Sequence, residues 1–368
     1  MKKHVIGIVG CGKISDIYLK NLSEMFSNTT VGAVSDLVPE RAEAKAKEYG
    51  IAKAYSAKEM MADDAVEIVL NLTIPSVHAE VALAAIRAGK HVYNEKPLAV
   101  TRAEGESILA EAEKAGVRVG CAPDTFLGAG LQTARAAIDS GMIGRPVAAT
   151  AFMLGHGPEK WHPDPEFFYK TGGGPMFDMG PYYLTALVSL IGPINAVAGI
   201  ARKGFEQRTV GSGVKEGQVI TVDIPTHIAG LIDFHGGAVG TIITSFDVWA
   251  NNLPRIEIHG TLGSLSVPDP NTFGGSVKIK RENDTEWEEL PYSHGHSENS
   301  RGIGVADLAA SADEGAPHRA NGTVAYHVLD VMHAFHDASD QRRHVDIAST
   351  CERPAPLPTM SDTAALQF

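Results

Sequence analysis

Cysteine is scarce in this chain, and long apolar runs are absent. The three cysteines among 368 residues, Cys11, Cys121 and Cys351, have neither the spacing of a metal site nor that of a paired disulfide framework. The richest apolar stretch, Tyr182 to Ile200, is interrupted by Gly192-Pro193, whereas a membrane helix needs ~18 uninterrupted apolar residues or more. The composition therefore predicts no metal centre, no disulfide scaffold and no membrane span.

Clusters of basic residues are absent too. Lys and Arg total 32 against 44 Asp and Glu, so the formal net charge is −12, which argues against nucleic acid and anionic membranes as partners. The N-terminus leads straight into a strand and leaves no room for a signal peptide, so we expect a cytoplasmic protein. The hydrophobic content of 44% is ordinary for a globular chain, and the length predicts two domains of ~150 residues each.

A nucleotide-binding fingerprint opens the chain. The apolar run Val5 to Val9 leads into Gly10-Cys11-Gly12-Lys13-Ile14-Ser15. A strand that ends in G-x-G and starts a helix brings backbone N–H groups and the positive end of the helix dipole up to a pyrophosphate. Ser15 takes the place of the third glycine, so the fingerprint is imperfect. We expect cofactor contacts at Gly10, Gly12, Lys13 and Ile14.

An acidic residue follows the next apolar run. Asp36 comes after Val31 to Val34, close to the spacing of about 20 residues at which a carboxylate accepts hydrogen bonds from the adenosine ribose. Leu37 comes next, with no Arg or Ser beside it to receive a 2′-phosphate. NAD is therefore the expected cofactor, and Arg41, four residues further on, leaves NADP as the less favoured alternative.

The spacing of elements predicts an α/β fold. Strands alternate with helices as far as residue 122, which predicts a parallel, doubly wound Rossmann sheet. From residue 196 to 290 successive strands are joined by Gly/Asn/Asp/Pro turns, which is typical of an antiparallel sheet. We expect an NAD-binding Rossmann domain over 1–123 and a substrate-binding and oligomerisation α/β domain over 124–368, with a large, mostly antiparallel open sheet.

Two motifs carry candidate chemistry. Glu95-Lys96-Pro97 directly follows the strand that ends at Asn94, and ligands bind at the carboxyl ends of such strands. Lys96 could hydrogen-bond a reacting hydroxyl there. The run from Gly172 to Tyr183 places Asp178 and Tyr182 four residues apart, hence on one face of a predicted helix over 178–191. A carboxylate beside a phenol could orient it as a general acid or base.

Aromatic and cationic side chains precede the three glycines. Trp161, His162, Tyr169 and Lys170 lie in a Gly/Pro-rich loop and suit stacking on a sugar and recognition of its hydroxyls. Simple loop packing explains each of them equally well. His294 and His296 suggest a metal site, but their Gly/Ser neighbours favour a solvated loop.

These motifs together resemble the glucose–fructose oxidoreductase/inositol dehydrogenase/rhizopine catabolism (Gfo/Idh/MocA) family. The likeness covers nearly the whole chain: the G-x-G-x-x-S fingerprint, T-I-P-x-x-H, A-G-K-H-V-Y-N-E-K-P-L, D-S-G-M-I-G over 139–144 and G-G-G-P-M-F-D-M-G-P-Y. The resemblance implies hydride transfer between a nicotinamide and a sugar or cyclic polyol. It also implies cofactor contacts from Thr73, Pro75, His78, Glu95 and Lys96, and subunit contacts through the open sheet of a homodimer or homotetramer.

The same resemblance implies the catalytic residues. Lys96 corresponds to the family's E-K-P lysine and Asp178 to its helix aspartate. Many members have D-x-G-x-H-x-x-D, where this chain has Tyr182 for the histidine and Thr185 for the second aspartate. A tyrosine acid/base is similar to that of the glucose–fructose oxidoreductase and dihydrodiol dehydrogenase members, which makes inositol a less favoured substrate.

Our hypothesis is an NAD-dependent sugar dehydrogenase or reductase that uses Lys96, Asp178 and Tyr182 as catalytic residues. Two enzymatic alternatives are a glycosidase that transiently oxidises its substrate with retained NAD⁺ and an oxidoreductase that recycles its cofactor between two sugars. A third, from a different class, is a sugar-sensing regulator that binds NAD without turnover. The sequence does not identify the sugar or the carbon that is oxidised.

Overall fold

The computed structural model describes residues 2–361, apart from the side chain of Glu314. The strands lie at the following positions: β1 (His4–Val9), β2 (Thr29–Ser35), β3 (Lys53–Tyr55), β4 (Ile68–Asn71), β5 (His91–Asn94), β6 (Val119–Cys121), β7 (Pro146–Leu154), β8 (Ile194–Arg202), β9 (Gln207–Thr209), β10 (Val219–Thr221), β11 (His227–Phe234), β12 (Val239–Ser245), β13 (Ile256–Gly260), β14 (Gly263–Val267), β15 (Val277–Arg281), β16 (Glu288–Leu290) and β17 (Val345–Asp346).

The helices are α1 (Ser15–Glu24), α2 (Pro39–Tyr49), α3 (Ala57–Ala62), α4 (His78–Arg87), α5 (Arg102–Ala115), α6 (Ala129–Asp139), α7 (Gly174–Asp178), α8 (Gly180–Leu190), α9 (Ile303–Glu314) and α10 (Gly322–Gln341). The chain forms two compact units. The first contains residues 2–128, 293–329 and 354–361, and the second contains 129–292 and 330–353. This division differs from the single boundary at residue 123 expected from the sequence, because two later segments belong to the first unit.

The first unit is built on a six-stranded parallel sheet with the order β3-β2-β1-β4-β5-β6. The predicted doubly wound Rossmann sheet is therefore confirmed. Its central strands are short apolar runs buried on both faces, as parallel strands covered by helices must be. Ser56 and Thr101 each form a capping box with the glutamate three residues later, which fixes where α3 and α5 begin.

A late segment completes the first unit. The carboxylate of Asp124, just after β6, accepts hydrogen bonds from the backbone N–H groups of Gly302 and Gly304 at the start of α9. These two bonds satisfy N–H groups that a helix N-terminus otherwise leaves unpaired. They are a physical reason why a segment so late in the sequence belongs with the Rossmann sheet.

The second unit is built on a nine-stranded sheet with the order β16-β15-β14-β13-β7-β12-β11-β8-β17. Only the β7–β12 pair is parallel, so the sheet is mostly antiparallel, as predicted. Phe335 of α10 packs against Gly199 and Gly230 of neighbouring strands, where a β-carbon on Gly230 would collide with its ring and one on Gly199 would crowd it. The opposite face carries Ile200, Leu231 and Val239, each at least half exposed. A separate two-stranded sheet pairs β9 with β10.

Candidate active site

The nucleotide-binding fingerprint, Gly10 to Ser15, forms a loop whose backbone is accessible at Gly12. Gly10 has φ +103°, and a β-carbon there would lie 2.7 Å from the carbonyl carbon of Leu72, so only glycine fits. At Gly12 no atom lies within 4 Å of the position a β-carbon would take. The Ser15 hydroxyl donates to the Gly12 carbonyl oxygen at 2.6 Å, which fixes the turn into α1. Gly12, Lys13 and Ile14 are exposed.

Asp36 is bound directly to this loop. One carboxylate oxygen accepts from the backbone N–H of Cys11 at 2.7 Å, and the other accepts from the N–H of Val38 at 2.9 Å. The carboxylate is thereby oriented at the end of β2, and each oxygen can accept a further bond. Leu37 beside it is 99% exposed. The open Gly12 backbone and the oriented Asp36 fit the pyrophosphate and the ribose diol of NAD.

The loop after β4 is held by buried side chains. The Thr73 hydroxyl donates to Asn71 Oδ1 at 2.6 Å. The His78 ring is buried, with Nδ1 2.7 Å from the carbonyl oxygen of Pro97 and Nε2 3.0 Å from that of Thr73. Burial lowers the pKa of His78. Its ring joins two loops at this sheet edge, and a cofactor contact from His78, from Thr73 or from the half-buried Pro75 stays a prediction.

The turn that carries Lys96 is fixed on both sides. Buried Glu95 accepts from the Tyr18 hydroxyl at 2.9 Å and from the backbone N–H of Lys96 at 2.9 Å. On the other side, the Asn94 amide donates to the Leu98 carbonyl oxygen at 3.0 Å and accepts from Asn71 at 3.0 Å. Both Glu95 carboxylate oxygens therefore have protein partners. The geometry indicates that Glu95 orients the turn, and its predicted role as a cofactor ligand is untested.

In the second unit, the two predicted catalytic residues lie on consecutive helices. The turn of three glycines leads into α7, which ends at Asp178, and α8 runs from Gly180 to Leu190. The helix expected over 178–191 is therefore present as α8, but it begins two residues later, because Pro181 has no N–H to continue the ladder from α7. The intervening Met179 keeps a right-handed helical backbone (φ −111°, ψ −22°). Asp178 is half-buried, and Tyr182 lies in the first turn of α8 with 8% of its surface exposed.

The glycines before α7 are needed for close packing. A β-carbon on Gly173 would lie 2.5 Å from the Phe167 carbonyl oxygen and 2.7 Å from that of Phe168. Gly174 has φ +88° and approaches the side chain of Ile224. The backbone that leads to Asp178 therefore packs directly against the preceding loop at Phe167 and Phe168.

The structure places the four predicted substrate residues in different environments. Trp161 is 66% exposed and His162 is half-buried. Tyr169 is fully buried, and its hydroxyl donates to Glu159, so it is not available to a sugar and that expectation needs correction. The Lys170 ammonium lies 2.8 Å from an Asp223 carboxylate oxygen. A role for Trp161, His162 and Lys170 in binding stays a prediction.

A buried arginine organises this loop and was not singled out in the sequence. Arg208 of β9 donates from Nη1 to Glu159 Oε1 at 3.1 Å and from Nη2 to an Asp247 carboxylate oxygen and the Phe246 carbonyl oxygen. Asp247 also accepts from the Thr226 hydroxyl at 2.7 Å. The available signal was Asp247, a charged residue two positions after the apolar strand β12. Its partners, however, are far from it in sequence.

The sequence predicted no metal centre and favoured a solvated loop over a metal site at His294 and His296. Within residues 2–361 no group of three or more His, Cys, Asp or Glu side chains could hold a metal ion. His294 is buried, its Nε2 lying 3.0 Å from the Leu357 carbonyl oxygen, so the solvated loop expected around it is wrong.

Among the described residues, none of the helices has the length and apolar character that a membrane span requires.

Comparison with known proteins assigns the family. Residues 5–122 match the oxidoreductase family with an NAD-binding Rossmann fold, and residues 131–266 match the GFO/IDH/MocA C-terminal domain. The 1,5-anhydro-D-fructose reductase of Ensifer adhaerens is 31% identical over 266 residues, which cover 70% of this chain and 74% of the relative. The chain belongs to the GFO/IDH/MocA oxidoreductase family.

Other members of the GFO/IDH/MocA family are also similar. The levoglucosan dehydrogenase of Pseudarthrobacter phenanthrenivorans is 28% identical over 250 residues, 63% of either chain. The solved structure of a levoglucosan dehydrogenase in complex with NADH and L-sorbose superposes with a TM-score of 0.82 at 21% identity, covering 94% of this chain and 99% of that one. At this identity the superposition shows a shared fold, and the NAD-binding Rossmann architecture is that of the family.

Proposed function

We propose that this protein transfers hydride between NAD(H) and a secondary alcohol or ketone of a sugar, glycoside or cyclic polyol. The proposal rests on the hydrogen bonds at the carboxyl ends of the strands in the first sheet. There Asp36 accepts a hydrogen bond from the Gly10–Gly12 loop, and Glu95 and Asn94 fix the turn that carries Lys96. The names of the similar proteins, an anhydrofructose reductase and a levoglucosan dehydrogenase, support the substrate class.

In the proposed reaction the protein handles the proton and the charge on oxygen. NAD⁺, when bound, supplies the hydride acceptor. As the carbon–hydrogen bond of the alcohol breaks, the hydroxyl gives its proton to Tyr182 in the phenolate form. Lys96 donates a hydrogen bond to the alkoxide oxygen as charge develops on it. Asp178 orients Tyr182 and Lys96, and the reverse sequence serves reduction.

We also propose that Gly10, Gly12, Lys13, Ile14 and Asp36 bind NAD in preference to NADP. Both Asp36 oxygens already accept backbone N–H groups, so the carboxylate is held in place to accept from ribose hydroxyls. A 2′-phosphate would bring negative charge against it.

A substrate panel tests the activity. We would follow NADH absorbance with free sugars, glycosides, anhydrosugars and polyols, using the wild type, Lys96→Met and the surface control Lys114→Met. Lys96→Met should lower kcat roughly 10²- to 10⁴-fold with NAD⁺ affinity nearly unchanged, and Lys114→Met should match the wild type. Full activity in Lys96→Met would remove this lysine from the mechanism.

The same panel separates the alternatives. Glycoside cleavage without net NADH would indicate the NAD-recycling glycosidase, and keto-sugar formation that needs a second sugar would indicate the sugar–sugar oxidoreductase. NAD⁺ binding with no turnover of any substrate would favour the sensor.

Two finer assignments accompany this proposal. The three free, buried cysteines are compatible with a reducing compartment, and we propose a cytoplasmic location. The exposed apolar face of the large sheet favours a homodimer or homotetramer that pairs through that face.

A further inference from the structure

A row of mostly exposed aromatic side chains leads away from α7, the helix that ends at Asp178. The rings of Phe167, His162 and Trp161 follow one another at centroid distances of 5.5 Å. Lys160, next in the chain, places its ammonium 4.5 Å from the centroid of the Trp249 ring. Phe167, Trp161 and Trp249 are 48%, 66% and 70% exposed. We call these five residues the aromatic track.

One end of the track adjoins the turn that carries Asp178. The Gly173 N–H donates to the Lys170 carbonyl oxygen at 2.8 Å, and the Gly173 backbone lies against the carbonyl oxygens of Phe167 and Phe168. α7 contacts the 3₁₀ turn Glu166–Tyr169 that presents the Phe167 ring. A ligand held at α7 therefore has the track as its neighbour within the second unit.

At the far end of the track, the Trp249 side chain is supported by a neighbouring ring. The Trp249 indole stacks on His156 with a centroid distance of 3.4 Å and an interplanar angle of 16°. His156 Nε2 lies 3.2 Å from Arg208 Nη1. Since arginine only donates, Nε2 accepts and the ring proton resides on Nδ1. A preordered aromatic surface loses little conformational entropy when a ligand stacks on it.

The dimensions and charges of the track indicate the ligand. Three rings spaced at 5.5 Å extend beyond a single pyranose. Lys160, Asp164 and Glu166 lie in the same segment as three of these aromatic side chains, whereas the centre of a protein–protein interface is depleted of charge. Aromatic faces combined with charged hydrogen-bonding groups suit a hydroxylated ligand that presents an apolar face.

We propose that the aromatic track binds the group attached through the glycosidic bond to the reacting sugar, so that the preferred substrate is a glycoside with an aromatic or second pyranose group. This inference rests on the proposed sugar oxidoreductase function, with the reacting ring at α7 and α8. It narrows the substrate class from sugars and polyols to extended glycosides.

Matched substrates test the inference. For the gluco, galacto and xylo series we would measure kcat/KM with the free sugar, its methyl glycoside, its nitrophenyl glycoside and a disaccharide. The two extended substrates should exceed the methyl glycoside roughly tenfold or more, as expected for added aromatic stacking. The nitrophenyl and disaccharide arms distinguish an aromatic from a saccharide group.

Variants locate the effect. Trp249→Ala should bring the ratio of extended to methyl glycoside near one with the methyl glycoside kcat/KM unchanged, and Trp161→Ala should lower the same ratio. Trp249→Phe should restore part of the preference. Val214→Ala, an exposed apolar residue outside the track, should leave the ratio unchanged. A wild-type ratio near one, or a ratio that survives both tryptophan variants, would overturn the inference.

Binding separates this inference from the catalytic proposal. Fluorescence titration of the NAD⁺-loaded protein with nitrophenyl and methyl glycosides should show preferential binding that Trp249→Ala removes. Preferential binding without turnover would support the track and contradict the catalytic proposal. If Trp249→Ala changed the mass measured by sedimentation but left the glycoside preference unchanged, the track would be a contact with a second copy of the chain. That result would overturn the inference.

Discussion

Asp124 is a residue whose environment sets its protonation. It is fully buried, and one oxygen accepts from the N–H groups of Gly302 and Gly304. Burial, the largest cause, raises the pKa of Asp124 from 3.8 to about 6, although the two backbone bonds lower it. The folded state therefore holds a proton that the unfolded state releases between pH 4 and 6.

This difference predicts a dependence of stability on pH. Since the folded pKa is the higher one, protonation of Asp124 stabilises the fold below about pH 4, and that contribution is lost as the pH rises through 6. From pH 5 to 7 the wild type should lose about 1 kcal/mol relative to Asp124→Asn, which does not titrate. Urea unfolding of both proteins at several pH values measures it. A constant difference between them would contradict the raised pKa.

Residue type and spacing predicted motifs better than they predicted burial. G-x-G, Asp36 and E-K-P were recognisable in the sequence because each lies next to the strand that positions it. The burial of Tyr169 was not, because its partner Glu159 is itself held by Arg208, which lies about 50 residues away along the chain. A polar side chain that satisfies its hydrogen bonds through such a partner has no local signature.

At the level of elements, local chemistry sets several boundaries. Capping boxes at Ser56 and Thr101 begin α3 and α5, and a glycine with a left-handed backbone ends α2. The helix predicted over 178–191 corresponds to α8, which begins two residues later because Pro181 lacks the N–H that would continue the ladder from α7. The apolar pattern alone did not locate that start, since α8 is buried along its whole length.

The Arg208 cluster predicts how the loop over 155–173 responds to mutation. Arg208→Met leaves Glu159 and Asp247 as buried carboxylates without a cation and should lower the free energy of unfolding by about 3–5 kcal/mol. The KM for extended glycosides should also rise, since Arg208 contacts His156, on which Trp249 stacks. Arg208→Lys keeps the charge without the planar fork and should recover only part of the loss.

An exposed ion pair provides the control for this prediction. Arg281 lies 3.1 Å from Glu288 on the surface of the large sheet, and Arg281→Met should change stability by less than about 1 kcal/mol. Denaturant unfolding and substrate kinetics of the three variants check the difference. If Arg208→Met were as stable as Arg281→Met, the buried cluster would have no structural role.

For the whole molecule, the sequence predicted the two types of sheet but not the membership of each unit. The alternation of strands with helices identified the parallel sheet, and the run of strands joined only by turns identified the antiparallel one. Residues 293–329 were assigned to the C-terminal domain because no pattern in them indicates a return to the Rossmann sheet. That return depends on long-range contacts such as Asp124 with Gly302.

The open sheet face predicts self-association. Leu231 is flanked by Ala198 and Thr241 on the neighbouring strands, with Ile200 and Val239 on the same face. Leu231→Lys should shift the sedimentation mass to a smaller species, because it places a charge in an apolar interface. Leu262→Lys, in the turn between β13 and β14, serves as the control. An unchanged mass for Leu231→Lys would exclude this face as the interface.

The proposal that Tyr182 exchanges the proton during hydride transfer is tested most directly by a single-turnover measurement. Enzyme saturated with NAD⁺ is mixed with the best substrate of the panel, and NADH and keto product are followed together in the wild type and Tyr182→Phe. We predict one NADH per keto product in the wild type and a rate roughly 10²- to 10⁴-fold lower in Tyr182→Phe, with NAD⁺ binding retained. Equal rates in the two proteins, or product formed without NADH, would contradict the account.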